Sequence, residues 1–520
     1  MPDNDFKQVW EIYQNTKTLR DNAKPLWDDI GKFVNIAVDP DYSLAGNANA
    51  SRRGQQVDEF IDDPTASISV NQAGDYLVGV MWGNGDKVFD VVPSRYVLEL
   101  VDAEAVQDYF AFATEQTLYH MNHTDCGYVS ALRPYAYDQF SFGTSGIGLF
   151  PNRAFKERAE PNALIARQYG VDNVTIDVGK SNNVDYVFAT YRWRVSRIVG
   201  EFAMTKGKVD ESKLAGLPDK IGKMYKKGQF NEEFTLIFGM MPRADFNPTL
   251  KGKKGMKYRG VWFMDDKKGG KNKGFFAEES FSERPINMAR MILLRGEVWG
   301  RSSGTMLLSS IRAVNYMVGT AIEVMEKMAD PSLGVFSNAI FGDSVLDSSP
   351  SGMTVFNSTF AGQGSGSPVF PLFDVGDPSA LVQFLVPYLN DKITTAFKVD
   401  ALLDFKNEVE QTATESIQRF IIRGQSLSGV LSQQKNERSV PDARRAISIL
   451  MDMGELGVNP RTQAKAVEVL QKANRPERVI PDAVLEVMKS GREWYELKFN
   501  NELEKLVKTE TLQNLLQLLN

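Results

Sequence analysis

The chain is 520 residues long, 42% apolar and 24% charged, with a formal net charge of −6. That composition fits a globular protein of two or three domains and argues against one that grips nucleic acid over its whole surface. A single cysteine, Cys126, excludes an intramolecular disulfide framework and agrees with assembly in a reducing cytoplasm; no apolar run reaches the roughly 18 residues of a membrane span, and the acidic start MPDNDFKQVW does not read as a secretory signal.

Residues 5–37 read as a helix, with Trp10, Tyr13, Trp27, Ile30 and Val34 available for packing. Residues 41–57 read as a loop rich in Gly, Asn and Ala, and 64–83 and 101–123 as two further helices. The stretch 145–200 alternates in a strand-like way, most clearly over 184–193. Residues 204–274 hold 17 Lys/Arg against 8 Asp/Glu. Within them 258–264 and 274–281 read as two strands joined by a polar turn, with Lys251, Lys253, Lys254, Lys267, Lys268, Lys271 and Lys273 clustered around the hairpin. The cluster is either a solvated hairpin tip or a basic patch facing nucleic acid or an acidic partner.

A different pattern begins at Pro285. A strand-like apolar segment runs into the turn Gly300-Arg301-Ser302-Ser303-Gly304, which offers flexible and N-capping residues. Residues 304–329 then form one helix, about 39 Å long at 1.5 Å per residue. Leu307, Ile311, Val314, Val318, Ile322 and Met325 line one face, and Pro331 stops it. Residues 332–376 are rich in Gly and Ser; short apolar pieces at 334–336 and 368–373 could be strands that pair between neighbouring subunits, or the whole segment could be a disordered insertion. Asp377-Pro378 starts a second helix carrying Leu381, Leu385, Leu389, Ile393 and Phe397, with a kink expected at Pro387. Thr412 starts a helix to about Ser432, and after Pro441 the chain reads as largely helical, ending in an amphipathic stretch with Leu503, Leu506, Leu512 and Leu516.

Sites for chemistry are scarce. Gly143-Thr144-Ser145-Gly146-Ile147-Gly148 has the glycines of a phosphate loop without its lysine, so a glycine-rich strand packed closely on a neighbour is the better reading. His120, His123 and Cys126 have the spacing of one helix face, yet Asn122, Thr124 and Asp125 mark a helix end there. Gly424-Gln425-Ser426-Leu427-Ser428 lacks the second glycine of a nucleophile elbow. No catalytic residue, cofactor or metal is expected, and the chain does not read as an enzyme.

The long helix entered by Trp299-Gly300-Arg301-Ser302-Ser303-Gly304, with Gly296-Glu297 before it, resembles the stem helix of phage portal proteins, more closely the head-to-tail connector family of short-tailed phages (podoviruses). Further blocks follow the order of that family: Pro25-Leu26-Trp27-Asp28-Asp29-Ile30; Ile61-Asp62-Asp63-Pro64-Thr65-Ala66 with Ala73, Leu77, Gly79 and Phe89; residues 138–150, DQFSFGTSGIGLF; and Thr412-Ala413-Thr414-Glu415. Ser302-Ser303 stands where that family often has Gly-Pro, and Asp330-Pro331-Ser332 where a double proline is common.

The resemblance implies an α+β portal fold: a mixed α/β wing over 1–303 and again over 412–460, stem helices at 304–330 and 377–398, a small α/β clip at 331–376, a tunnel loop at 399–411 and an α-helical crown at 461–520. It further implies a dodecameric ring at one capsid vertex of the virion, assembled in the host cytoplasm, through which double-stranded DNA passes without sequence preference during packaging and ejection. Implied partners are the terminase, a tail adaptor, capsid and scaffold proteins and internal core or ejection proteins, with no membrane. Leu402, Leu403, Asp404, Phe405 and Lys406 fall in the tunnel loop, and Glu323, Glu326 and Lys327 become candidates for charges facing the lumen. A competing reading is a phage DNA-processing or nucleotide-binding enzyme that uses the basic 251–273 hairpin.

Overall fold

The structure is a computed structural model that describes residues 2–34, 62–83, 87–158, 160–205, 208–247, 250, 252–265, 274–329, 333–335, 369–371, 379, 381–397, 429–473 and 475–499. It is a mixed α/β protein. In chain order its main elements are α1 (Pro2–Phe33), α2 (Thr65–Trp82), β1 (Phe89–Pro93), α3 (Ala103–Asn122), α4 (Tyr128–Phe142), β2 (Thr144–Pro151), β3 (Leu164–Tyr169), β4 (Val174–Val178) and β5 (Val184–Arg194). There follow α5 (Val195–Phe202), β6 (Met204–Thr205), β7 (Lys208–Val209), α6 (Glu211–Gly216), α7 (Asp219–Lys226), β8 (Glu233–Pro242), β9 (Tyr258–Met264), β10 (Ala277–Phe281) and β11 (Ile286–Arg290). The last are α8 (Ser303–Ala329), β12 (Leu333–Val335), β13 (Val369–Pro371), α9 (Val386–Ala396), α10 (Val440–Met453), α11 (Ala464–Lys472), α12 (Asp482–Lys489) and β14 (Tyr495–Phe499).

Two antiparallel sheets organise the core, one of order β10-β9-β8-β5-β4 and one of order β11-β2-β3. The larger sheet is buried on both faces. Along β8, Leu236, Phe238 and Met240 point into the main core, while Ile237 and Met241 point to the other side, where Phe6, Trp10 and Tyr13 of α1 cover them. A strand covered on both sides has no polar alternation to show, hence the unbroken apolar run LIFGMM. In the smaller sheet β2 is central, and a Cβ on Gly146 would lie 2.5 Å from the Asn287 carbonyl oxygen. The glycines of the pseudo phosphate loop therefore serve close strand packing.

Helix α1 is a strut. Asp5 accepts two hydrogen bonds from Arg259 at 3.0 and 2.8 Å, and Lys17 reaches Asp265 at 3.5 Å, so the helix runs along β9. Further on, Arg20 Nε donates to the Val171 carbonyl at 3.0 Å, and Trp27 packs edge-on to Trp299 at 4.7 Å.

Several expectations need correction. Residues 195–202, inside the stretch expected to be strand, form α5, because Val195, Ile198 and Val199 bury one face at helical spacing. The two short strands β12 and β13 pair with each other in the same chain, Leu333 opposite Pro371, instead of with a neighbour along that edge. The helix expected to end near Ser432 continues from 429 through Met453, passing Pro441. The region assigned to a helical crown contains a strand, β14, whose alternating Tyr495, Leu497 and Phe499 pair with β1.

Both prolines thought to interrupt helices are accommodated in the same way. A π-turn, Leu381–Leu385 or Lys435–Ser439, ends two residues before Pro387 or Pro441. Proline has no N–H, and its ring would strike the carbonyl four residues back; a widened turn removes the clash without ending the helix.

Candidate functional site: the base of the long helix

The junction between β11 and α8 is built backbone to backbone. After Arg290 the chain bonds to the end of α4, Met291 N donating to the Gly143 carbonyl at 2.8 Å, and Ile292 and Arg301 exchange bonds at 3.1 and 2.8 Å. Gly143 caps α4 at φ +83°, and a Cβ there would lie 2.5 Å from the Arg301 carbonyl carbon. A Cβ on Gly300 would in turn run into the Gly143 carbonyl oxygen and lie 2.8 Å from Arg290 Cβ. Each glycine is thus required by the other's backbone. Across the turn, Arg301 grips Glu297 with two hydrogen bonds at 2.9 and 2.6 Å, which holds the carboxyl below its usual pKa.

Ser302 caps the helix. Its Oγ accepts from Thr305 N at 3.0 Å and donates to the Ser141 carbonyl at 2.5 Å, while Thr305 Oγ1 accepts from Ser302 N at 2.8 Å. Such a cap is worth about 1 kcal/mol. Ser303 Oγ donates to the Ala396 carbonyl at 2.9 Å, tying the start of α8 to the last turn of α9. The two serines that depart from the expected Gly-Pro therefore join α8, α9 and α4 in one knot.

Segments distant in sequence meet here. Trp27 packs on Trp299, Asp29 pairs with Arg312, and Arg312 also lies 5.6 Å from the Phe33 ring. The backbone N–H groups of Asp62 and Asp63 donate to Asn315 Oδ1 at 2.8 and 3.2 Å, and Gly319 leaves room for the Asp62 carboxylate. Asp63 also accepts from Thr65 N at 2.9 Å and so orders the start of α2.

Past this base the helix emerges. Leu308, Ile311, Val314 and Ala321 are buried, Leu307 and Val318 half-buried. Ile322, Met325 and Met328 are 40%, 48% and 51% exposed, and Tyr316 is 75% exposed. Phe384, Leu385 and Tyr388 on the returning arm are likewise bare. The expected apolar face is thus correct in direction, but no described element covers its last two turns. Glu323, Glu326 and Lys327 lie exposed on those same turns.

Beneath the junction lies a buried polar cluster that the sequence reading missed. The Arg290 guanidinium meets Glu437 at 2.6 Å with both side chains out of solvent, and Glu437 also accepts from the Arg290 backbone N–H at 2.7 Å. One turn on, Asp442 accepts from Tyr128 Oη at 2.9 Å and Asn287 Nδ2 at 2.8 Å, with Arg438 3.7 Å away. Burial pushes Asp442 up to a pKa of about 6, against the lowering by Arg438 and its hydrogen-bond donors. Arg438 stacks 4.4 Å from the Tyr135 ring, and Tyr135 Oη donates to Gln434. Only the i, i+4 spacing of Arg438 and Asp442 within QQKNERSVPDARR hints at an inward face.

The remaining candidates scatter. His120 is buried with Nδ1 2.9 Å from Asn162 Oδ1, while His123 Nδ1 accepts from Asp125 N at 3.2 Å and caps a 3₁₀ turn. Among the described residues no cluster of three metal-ligating side chains occurs. Of the basic hairpin, Lys253 and Lys254 lie exposed in a 3₁₀ turn, Lys254 3.6 Å from Asp245. Lys251, Lys267, Lys268, Lys271 and Lys273, the tunnel-loop candidates Leu402, Leu403, Asp404, Phe405 and Lys406, the Thr412–Glu415 block, Asp377-Pro378 and the C-terminal leucines lie outside the described residues.

A profile of the family described as "Bacteriophage head to tail connecting protein" matches residues 7–473. The chain belongs to that family. It is also 21% identical over 342 residues to a "Probable portal protein" of Bordetella phage BPP-1, a match spanning 65% of this chain and 56% of that relative. Among solved structures, "Virion of native gene transfer agent (GTA) particle" aligns over 88% of this chain and 86% of its own at 10% identity, with a TM-score of 0.34. In this head-to-tail connecting protein, the described blocks that carried the family resemblance are those that meet around α8: Trp27 with Trp299, Asp62 and Asp63 with Asn315, and Gly143 with Gly300. Among the described residues no helix is long and apolar enough to cross a membrane.

Proposed function

We propose that the chain is the portal subunit of a short-tailed phage, a structural virion component that assembles as a dodecameric ring at one capsid vertex. The observation that carries this reading is the bare apolar end of α8 beside the bare Phe384 and Tyr388, below a base that is rigidly anchored. A helix pinned at one end and left uncovered by the described residues at the other suits cover from another chain. Head-to-tail contacts that close give a ring.

In this reading the domain boundaries are those of the resemblance: wing, stem helices, clip, tunnel loop at 399–411 and crown. DNA passes through the ring during packaging and ejection, the terminase and then a tail adaptor dock on the clip, and capsid, scaffold and internal core proteins meet the wing and crown. Glu323, Glu326 and Lys327 repeat around the lumen as charged rings, acidic ones repelling phosphate and lysine ones giving weak, releasable contacts. Leu402 to Lys406 narrow the channel and obstruct backward sliding. The family match favours this over an enzyme built on the 251–273 hairpin.

Mass photometry of the purified chain tests the reading. A particle near twelve subunit masses is expected, and Ile322→Asp with Met325→Asp should shift it to folded monomer. A wild-type chain that stays monomeric across concentration and salt overturns it.

A further inference from the structure

Between the paired strands β5 and β8 the chain leaves the sheet and builds a small knob from α5, the β6–β7 ladder, α6 and α7. It closes on itself: Val195 N donates to the Glu232 carbonyl at 2.9 Å and Ser196 N to the Phe230 carbonyl at 3.1 Å. Val195, Ile198, Val199, Ala203, Leu214, Leu217 and Ile221 are buried beneath it, continuous with the main core, and Phe202 anchors it on Trp262 and Phe276.

The knob's outer surface is basic in a chain that is acidic overall. Residues 203–230 hold seven lysines against three acids. One of those acids, Asp210, is occupied in capping α6 through Ser212 N at 3.0 Å. Asp219 stands at the opposite end of α7 from the basic turn. Lys220, Lys223 and Lys227 share one exposed stripe, with steps of about 4.5 and 6 Å along the axis. Among the described residues Lys223, Lys226 and Lys227 have no carboxylate partner. The knob springs from the end of the sheet where β9 stops and β10 begins, so the basic hairpin connection also starts and finishes there.

We infer that this knob is a contact for the phosphate backbone of double-stranded DNA, lying outside the channel. The residue choice decides the partner. Recognition of an acidic protein segment favours arginine, whose planar fork matches a carboxylate in two bonds. Here the one arginine of the knob, Arg197, lies over the Trp193 ring at 4.6 Å, and the other exposed cations of the knob are lysines. Mobile, hydrated point charges in a row suit a regular line of phosphates and carry no sequence preference. The inference rests on the reading of this chain as one that handles DNA, not on the number of subunits in its ring.

The test measures binding of a 30-base-pair duplex by fluorescence anisotropy between about 50 and 300 mM salt, for the wild type and for Lys220→Gln, Lys223→Gln, Lys226→Gln and Lys227→Gln combined. The combined variant should lose at least tenfold in affinity at the low end and about two to four from the slope of log affinity against log salt. A control carrying Lys465→Gln, Lys472→Gln and Lys489→Gln should keep most of both. Equal loss in control and knob variant, or no loss in either, overturns the inference. So does displacement of the duplex by poly-glutamate at equal charge concentration, which would make the knob a dock for acidic protein. Mass photometry on the same samples reads ring formation separately, so a failure here is distinguishable from failure of the portal reading.

Discussion

Two stretches of this chain look alike on the page and behave as opposites. Residues 433–445, QQKNERSVPDARR, and 219–228, DKIGKMYKKG, are both dense in charge. The first is a core element: Gln434, Glu437, Arg438, Asp442 and Arg445 are all buried. The second turns only Ile221 fully inward and keeps Lys220, Lys223, Lys226 and Lys227 at the surface. What separates them is complementarity. The buried stretch carries both signs and finds Arg290, Asn287 and Tyr128 waiting; the exposed stretch is nearly all of one sign. Burial of charge follows available partners, not composition.

The strongest way to break that contrast is to remove one partner from the buried side. Glu437→Ala leaves the Arg290 guanidinium uncompensated in the core and should destabilise by roughly 3–5 kcal/mol in urea unfolding. A cost below about 1 kcal/mol would show that the pair is solvated in practice.

Asp442 offers a subtler probe. Its folded pKa, about 6, lies above the ordinary 3.8, so the folded state takes up the proton first. Stability from this group therefore rises as pH falls from above 6 towards 4, the reverse of an ordinary ion-paired carboxylate. Between pH 8 and 5 the wild type should gain about 1 kcal/mol relative to Asp442→Asn, read from urea midpoints at the two pH values. A gap that is flat, or that moves the other way, would mean that Arg438 holds the carboxyl ionised.

Arg133 sits between the extremes. It contacts Asp75 at 2.9 and 3.1 Å and Tyr137 Oη at 2.6 Å, yet it is exposed, so Arg133→Ala should move the urea midpoint far less than Glu437→Ala does. At the far end, Lys223→Ala should leave the unfolding free energy within about 0.5 kcal/mol of the wild type. A larger effect would reveal a partner for Lys223 within the chain itself.

The same logic explains what was legible beforehand. Local signals survived: the serine cap at Ser302, the period of Ile311 and Val314, the glycines of β2 and the hairpin β9–β10 each depend on neighbours within a few residues or on one strand face. Long-range partnerships did not. Nothing near Glu437 announces Arg290, 147 positions away, and a polar run before a proline reads as an end when it is the widened middle of a helix. β14 was lost because five residues among helices have little weight until β1 supplies a mate. At α8 the apolar period was right and burial beyond Ala321 was not, since periodicity does not say which molecule provides the cover.

Helix α1 raises a matter of timing. It leaves the ribosome before every other described element, and among its ties those to Arg259, Asp265, Trp299 and Arg312 are made last. At ordinary synthesis rates of about 5–20 residues per second, some 250 residues take roughly 12 to 50 seconds. Throughout that interval Phe6, Trp10, Tyr13 and Trp27 have no finished surface to lie on. A segment left open for so long is the stretch from which crowded expression would first turn to aggregation.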